Sequence, residues 1–256
     1  MPPRRPRPHL ACASWGSRFA LALILVGCAS LPARTPDAAV AAADVSQPSS
    51  SRPLAPEYQI HGDGSVTLRI CFNWSCASRQ RLDFTAQDMR EVAGHMAMCP
   101  RNDQRQRLQR LRIGVWRMEA LAQKYQPLLA NDEAINTRDQ DREGRMDCID
   151  NASNTTTYLH VLHELGLLTG WSPASPQVRD AFSMSVHWTA VVIDRERDEA
   201  WSVDAWYRPN SHLPFVMPLA DWEDNAIGWQ APFAQRNPYP RYSNQLCDSE
   251  PDAPRS

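Results

Sequence analysis

The chain predicts an α+β domain, and three observations carry that reading. Two long helical periods run through its middle. Two alternating strands joined by a charged turn follow late in the chain. No regular strand–helix–strand alternation of a parallel doubly wound sheet links them. Taken in order, residues 65–71 alternate polar and apolar side chains and predict a strand, with 81–84 as its partner. Thr85 with Asp88 reads as a helix start, and that helix runs to about residue 98, ahead of Pro100. A second helix is expected over 103–125, where Leu108, Leu111, Val115, Met118 and Leu121 recur at three and four residues, before Pro127 stops it. Residues 131–145 are polar and unpatterned and predict a loop leading to Cys148.

From Cys148 a helix is expected to about residue 165, with Ile149, Ala152, Thr156, Leu159, Leu162 and Leu165 on its inward side and Gly166 ending it. A short helix is expected at 177–182. A hairpin then follows, with strands at 186–193 and 201–206 about a charged turn at 194–199. The remainder to residue 232 reads as loop-rich and aromatic, fit to wrap the sheet edge or line a cleft.

The two ends read differently. Arg4, Arg5, Arg7 and Arg18 form a basic leader before an apolar run at 19–26, which is too short for the roughly 20 residues of a membrane span. The run closes on Leu25, Val26, Gly27 and Cys28, which resembles the lipobox of bacterial lipoproteins. That resemblance implies a signal peptide over 1–27, cleavage before Cys28, and acylation of Cys28, palmitate included, as a membrane anchor. Ala29 in place of an aspartate implies the outer membrane as destination. Residues 28–57 are rich in Ala, Pro and Ser and predict a flexible tether. Residues 58–247 suffice for one well-buried catalytic domain, and 248–256 form a disordered tail. Removing the leader's four arginines takes the formal net charge from −2 to about −6, which excludes a nucleic-acid role, as does the lack of a basic stripe.

Cys71, Cys76, Cys99, Cys148 and Cys247 lie beyond the anchor, and an odd count in an exported chain leaves one thiol free. With Cys148 free, the other four can form two disulfides, in a pairing the sequence leaves open. Cys71 and Cys76 are the closest pair. A straight strand would separate them by about 17 Å, so a bridge between them requires a turn at 73–75.

Cys148 opens a helix, His187 sits on a predicted strand and Asp204 on the next. A thiolate is the reactive form of cysteine, and a helix N-terminus lowers thiol pKa through its free N–H groups. The expectation is therefore a thiolate at Cys148 near neutral pH, with His187 as its base and Asp204 orienting the imidazole. The Cys148 backbone N–H is one oxyanion donor. The second is not readable, and the 131–145 loop or the N-terminal strands are its candidate sources. Folding the hairpin at its charged turn brings His187 and Asp204 to adjacent strands, but their sharing a face depends on register.

Met146, Asp147, Cys148, Ile149 and Asp150, followed by Asn154, Thr155, Thr156, Tyr158 and Leu159, are similar to the nucleophile helix of bacterial transglutaminase-like relatives of the papain-type cysteine enzymes. His187 to Val192 and Val203 to Trp206 resemble their histidine and aspartate strands, and the Asn210, Pro214 and Trp222 neighbourhood is also similar. The resemblance implies a papain/transglutaminase-like fold, with the nucleophile helix packed on an antiparallel sheet, and action on amide or thioester bonds. Two positions depart from the family pattern: Asn151 where an acidic residue is expected, and Ser211 where glycine is expected.

Asp147 and Asp150 read as helix caps more than catalytic groups. His160, His163 and Glu164 share a helix, but their order is not the spacing of zinc peptidase motifs, so they read as a solvated face. No phosphate loop, dinucleotide fingerprint or serine elbow occurs, and no cofactor is expected. The favoured function is a cell-envelope cysteine acyl enzyme (peptidase, amidase or acyl transferase) acting on protein or peptide amides. The alternative is a binding or scaffolding lipoprotein that keeps the fold with an idle triad.

Overall fold

A computed structural model describes residues 50–99, 103–180, 186–224 and Cys247. All of them fall in the compact unit Ala42–Ser256. The leader, Cys28, the first part of the tether, residues 225–232 and the tail lie outside the described residues.

Among the described residues, seven strands form two antiparallel sheets. The first holds β1 (Tyr58–Ile60), β2 (Val66–Phe72) and β3 (Ser78–Phe84) in that order. Alternation in β2 buries Val66, Leu68 and Ile70, as a half-buried strand requires. β3 begins earlier than its apolar residues suggest, because Ser78 to Arg81 pair through their backbone while remaining polar. The stretch read as the end of the tether lies against the domain. The Ser50 N–H donates to the Ser75 carbonyl (2.7 Å), and the Leu54 N–H donates to Ser153 Oγ (3.0 Å).

Helix α1 (Ala86–Ala97) starts on the predicted capping box: the Asp88 N–H donates to Thr85 Oγ1, and Asp88 Oδ2 accepts from the Thr85 N–H. Helix α2 (Gln104–Tyr125) is capped by Asp103, and a 3₁₀ turn (Pro127–Asn131) follows it. Helix α3 (Cys148–Glu164) ends with Gly166 at φ +72°, the left-handed residue that closes a helix.

The sequence assigns α3 one inward face, but the structure buries residues 150–159 on all sides. The reason is position: α3 contacts β2 of the first sheet and β4, β5 and β6 of the second. Several of its buried polar residues are satisfied within that sandwich, although the Thr155 and Thr156 hydroxyls have no partner among the described residues. Asn154 accepts from the Cys71 N–H (2.7 Å) and donates to the Cys71 carbonyl (2.8 Å), and Ser153 and Thr157 donate to carbonyls one turn back.

The second sheet has the order β4 (Trp171–Asp180), β5 (Val186–Asp194), β6 (Glu199–Asp204) and β7 (Phe215–Pro218). β4 corrects the expected helix at 177–182 over 177–180, while 181 and 182 lie outside the described residues. Pro173, Ser175 and Pro176 disguise it as a loop, yet β4 is an edge strand with a register shift between Ala174 and Gln177. That is where a residue lacking an N–H is tolerated in a sheet. β6 stops at Asp204 instead of Trp206. The segment expected as loop supplies edge strand β7 and the short helix α4 (Leu219–Asp224). Ser211 takes φ +64°, the left-handed conformation that glycine adopts most easily.

Candidate active site

The approach to Cys148 is fastened from several sides. Gly144 has φ +86°, and a Cβ there would lie 1.9 Å from the Leu128 carbonyl oxygen, so only glycine fits. Its N–H donates to Asn73 Oδ1 (2.7 Å), and the Met146 N–H donates to Asp132 Oδ1 (2.8 Å). Asp147 caps α3 and Asp150 completes a capping box. Asp147 Oδ1 accepts from the Ile149 and Asp150 N–H groups, both at 2.9 Å. The capping role expected for these two aspartates is the one they have. This arrangement leaves the N–H of Cys148 itself at the helix start beside its own sulfur.

The Cys71–Cys76 disulfide closes a turn in which Asn73, Trp74, Ser75 and Cys76 all have positive φ. The turn docks on the start of α3: Ser75 Oγ donates to Asp147 Oδ2 (2.8 Å) and the Cys76 N–H donates to Asp150 Oδ1 (2.6 Å). Cys99 pairs with Cys247, and Cys148 is the free cysteine among the described residues.

His187 and Asp204 meet across β5 and β6. The ladder aligns Ala190 with Val203. Continued by one residue, it sets Asp204 opposite Thr189, two positions from His187 and so on the same face. His187 Nε2 lies 2.7 Å from Asp204 Oδ2. A carboxylate only accepts, so Nε2 is the donor and Nδ1 is the nitrogen left to receive a proton. Trp222 Nε1 donates to the same oxygen (2.9 Å). The rings of Trp206, Tyr207 and Trp222 lie 4.7, 5.2 and 5.7 Å from the imidazole, which excludes water from the His187–Asp204 bond and strengthens it.

Cys148 and His187 line one cavity of about 420 Å³, together with Trp74, Arg179, Trp188 and Trp206. Here burial works against the expected thiolate. Burial pushes the Cys148 thiol up to about 12, and the nearby Asp147 and Asp204 carboxylates add to that. A hydrogen bond from the Trp188 backbone N–H opposes them. Desolvation thus works against the field of the helix start and favours the protonated thiol.

Asp132, which holds Met146 and receives Asn136 Nδ2, is pushed up by burial to about 8. Folded, it keeps its proton up to that pH, whereas unfolded it releases it near 4. Its stabilising contribution is therefore complete below about pH 4 and is lost as the pH rises through about 8. Thermal melts should show Tm falling from about pH 5 to about pH 9, with a shallower fall in Asp132→Asn. Parallel curves for the two proteins would show that Asp132 does not titrate there.

Asn136 also lines the cavity, but its amide is committed to Asp132, to the Met146 carbonyl (2.9 Å) and to Arg145 (3.3 Å). It therefore shapes the loop without a free N–H. Glu164 of the rival histidine constellation accepts from Tyr58. Among the described residues, the one group close enough to share an ion is Cys71, Cys76 and Asp150, and its two cysteines are joined to each other.

Cys148 and His187 line one cavity, Asp204 is bonded to the imidazole, and His160 lines a different cavity. Sequence reasoning missed Trp206, Tyr207, Trp222 and Arg179 as parts of the site. The signal for the three aromatic residues was their density after Asp204, whereas Arg179 had no local signal. Comparison of the chain with models of known protein families, with curated proteins and with solved structures finds no match.

Proposed function

We propose that this protein is a lipid-anchored cell-envelope cysteine acyl enzyme of papain/transglutaminase-like fold, acting on protein or peptide amides. Cys148 is the nucleophile, His187 its base and Asp204 the orienting carboxylate. The observation that carries this reading is the 2.7 Å His187 Nε2–Asp204 Oδ2 bond, placed in the wall of the cavity that also holds the free thiol. Structural ion pairs between buried histidine and aspartate are ordinary. A pair with its other ring nitrogen unclaimed, beside an unpaired cysteine at a helix start, is what acyl transfer requires.

The raised thiol decides the order of events. As the sulfur forms its bond to the substrate carbonyl carbon, its proton passes to His187 Nδ1. The carbonyl oxygen takes the negative charge, beside the Cys148 N–H. The carbon–nitrogen bond then breaks, the imidazolium returns the proton to the leaving amine, and a thioester remains on Cys148. Water or an amine, deprotonated by His187, attacks the thioester and releases the thiol. Proton transfer thus accompanies attack and does not precede it.

Cys28 would carry the acyl chains, and the tether would hold the domain at the outer membrane facing the periplasm. A second reading, a binding lipoprotein with an idle triad, draws on the same raised thiol. Alkylation separates the two. Iodoacetamide at neutral pH should label Cys148 about tenfold faster than glutathione, because His187 removes the proton during attack. Cys148→Ser should abolish both that labelling and amide turnover. Membranes should retain the protein through a high-salt wash, with Cys28 acylated by mass spectrometry. Labelling slower than glutathione would leave the binding reading in place, and salt extraction would remove the anchor.

A further inference from the structure

We propose that the active-site cavity recognises a carboxylate on its substrate, within a few bonds of the scissile carbonyl, and that Arg179 receives it. This rests on the acyl-enzyme reading above and names its substrate class.

In the sheet ladder Arg179 of β4 pairs directly with His187 of β5. Directly paired residues project from the same face of a sheet at neighbouring positions. The guanidinium therefore belongs to the face that carries the base, and Arg179 lines the cavity containing Cys148. It is 6% exposed. One terminal nitrogen donates to the Trp222 carbonyl (2.6 Å) and the other to the Tyr207 hydroxyl, and the group stacks 4.3 Å from the Trp222 ring centre.

These acceptors are all neutral. Among the described residues no carboxylate forms an ion pair with Arg179, whereas two other buried arginines have counter-charges. Arg107 meets Glu196 (2.7 Å) and Asp194 (3.7 Å), and Arg145 meets Glu133 (3.0 Å) and Asp139 (3.2 Å). A buried charge is costly unless an opposite charge meets it, and a guanidinium cannot shed its proton to escape the cost.

The two carboxylates that act on the thiol are engaged elsewhere. Asp147 is taken up by two helix N–H groups and Ser75, and Asp204 Oδ2 by His187 and Trp222. These two hydrogen bonds leave further N–H groups of the five on the fork. A planar fork beside the nucleophile, with no acid of its own, fits the carboxylate of a bound acyl donor. A terminal residue or an acidic side chain next to the cleaved amide supplies such a group.

The test uses two alkylating agents of nearly equal size that differ in charge. A free thiolate prefers neutral iodoacetamide to iodoacetate. At Cys148 the iodoacetate-to-iodoacetamide rate ratio, normalised to that of glutathione, should be about tenfold higher, saturable in iodoacetate, and reduced by acetate and succinate. Arg179→Gln should return the ratio to that of glutathione, and Arg179→Lys should retain part of it.

If Arg179→Gln fails to fold, the wild-type ratio and the acetate competition still decide. A wild-type ratio equal to that of glutathione, with fast iodoacetamide labelling, overturns the carboxylate site and leaves the acyl-enzyme reading standing. Iodoacetamide labelling slower than glutathione overturns both.

Discussion

Replacing His187 by alanine should slow alkylation of Cys148 at neutral pH by about 10²- to 10³-fold, the range in which a positioned general base contributes. The thiol is held up to about 12 by burial, with Asp147 and Asp204 adding to it. In the absence of an acceptor for its proton, the sulfur is almost entirely protonated at neutral pH. The residual rate in His187→Ala should therefore climb with pH without a plateau up to about pH 10, following the thiol's own ionisation. The wild-type protein should already react well near pH 7. Asp204→Ala should act in the same direction with a smaller loss, because the imidazole remains but its tautomer and orientation are released, and Trp222 Nε1 loses its acceptor. Rates measured by mass spectrometry of the Cys148 peptide would settle this. Coincident pH profiles for wild type and His187→Ala would mean that His187 does not serve the thiol.

The largest stability effect should come from the Cys99–Cys247 disulfide. It joins residues 148 apart in sequence, while Cys71–Cys76 joins residues 5 apart. Chain-entropy reasoning makes the long closure worth about 5 kcal/mol and the short one about 2 kcal/mol. Both half-cystines of the long bridge are buried, Cys99 at 1% and Cys247 at 6% exposure. Alanine at both therefore removes the cross-link without exposing a polar group. Urea unfolding of Cys99→Ala/Cys247→Ala should show the greater loss. The Cys71→Ala/Cys76→Ala protein should lose less stability but label more slowly at Cys148, since its turn docks on Asp147 and Asp150. Equal losses in the two double variants would refute the entropic account.

Local signals carried much of the fold into the sequence. Thr85 with Asp88, Asp103, the period through Leu121, and Cys148 followed by a helix ending near Gly166 all mark elements found within a residue or two. Each depends on contacts between neighbours in the chain, which a linear reading sees. The misread residues are 177–180, expected as helix, in a strand that begins at Trp171 where no element was expected. Its prolines speak for a loop locally, and only its place at the edge of a sheet makes them acceptable in a strand.

For the site, the sequence by itself determined which groups were present and in what order: a cysteine at a helix start, a histidine and an aspartate on consecutive strands, and an odd thiol left after pairing. Only the tertiary structure decided which face His187 and Asp204 share, because a one-residue slip in register would have put them on opposite sides. It also sets the burial that raises the Cys148 thiol. A helix start favours the thiolate, but desolvation depends on what covers the sulfur, and that cover comes from distant parts of the chain. Arg179, Trp206, Tyr207 and Trp222 gather around the imidazole for the same reason: strand pairing brings residues up to 43 positions apart into hydrogen-bonding distance, and no local pattern encodes that distance.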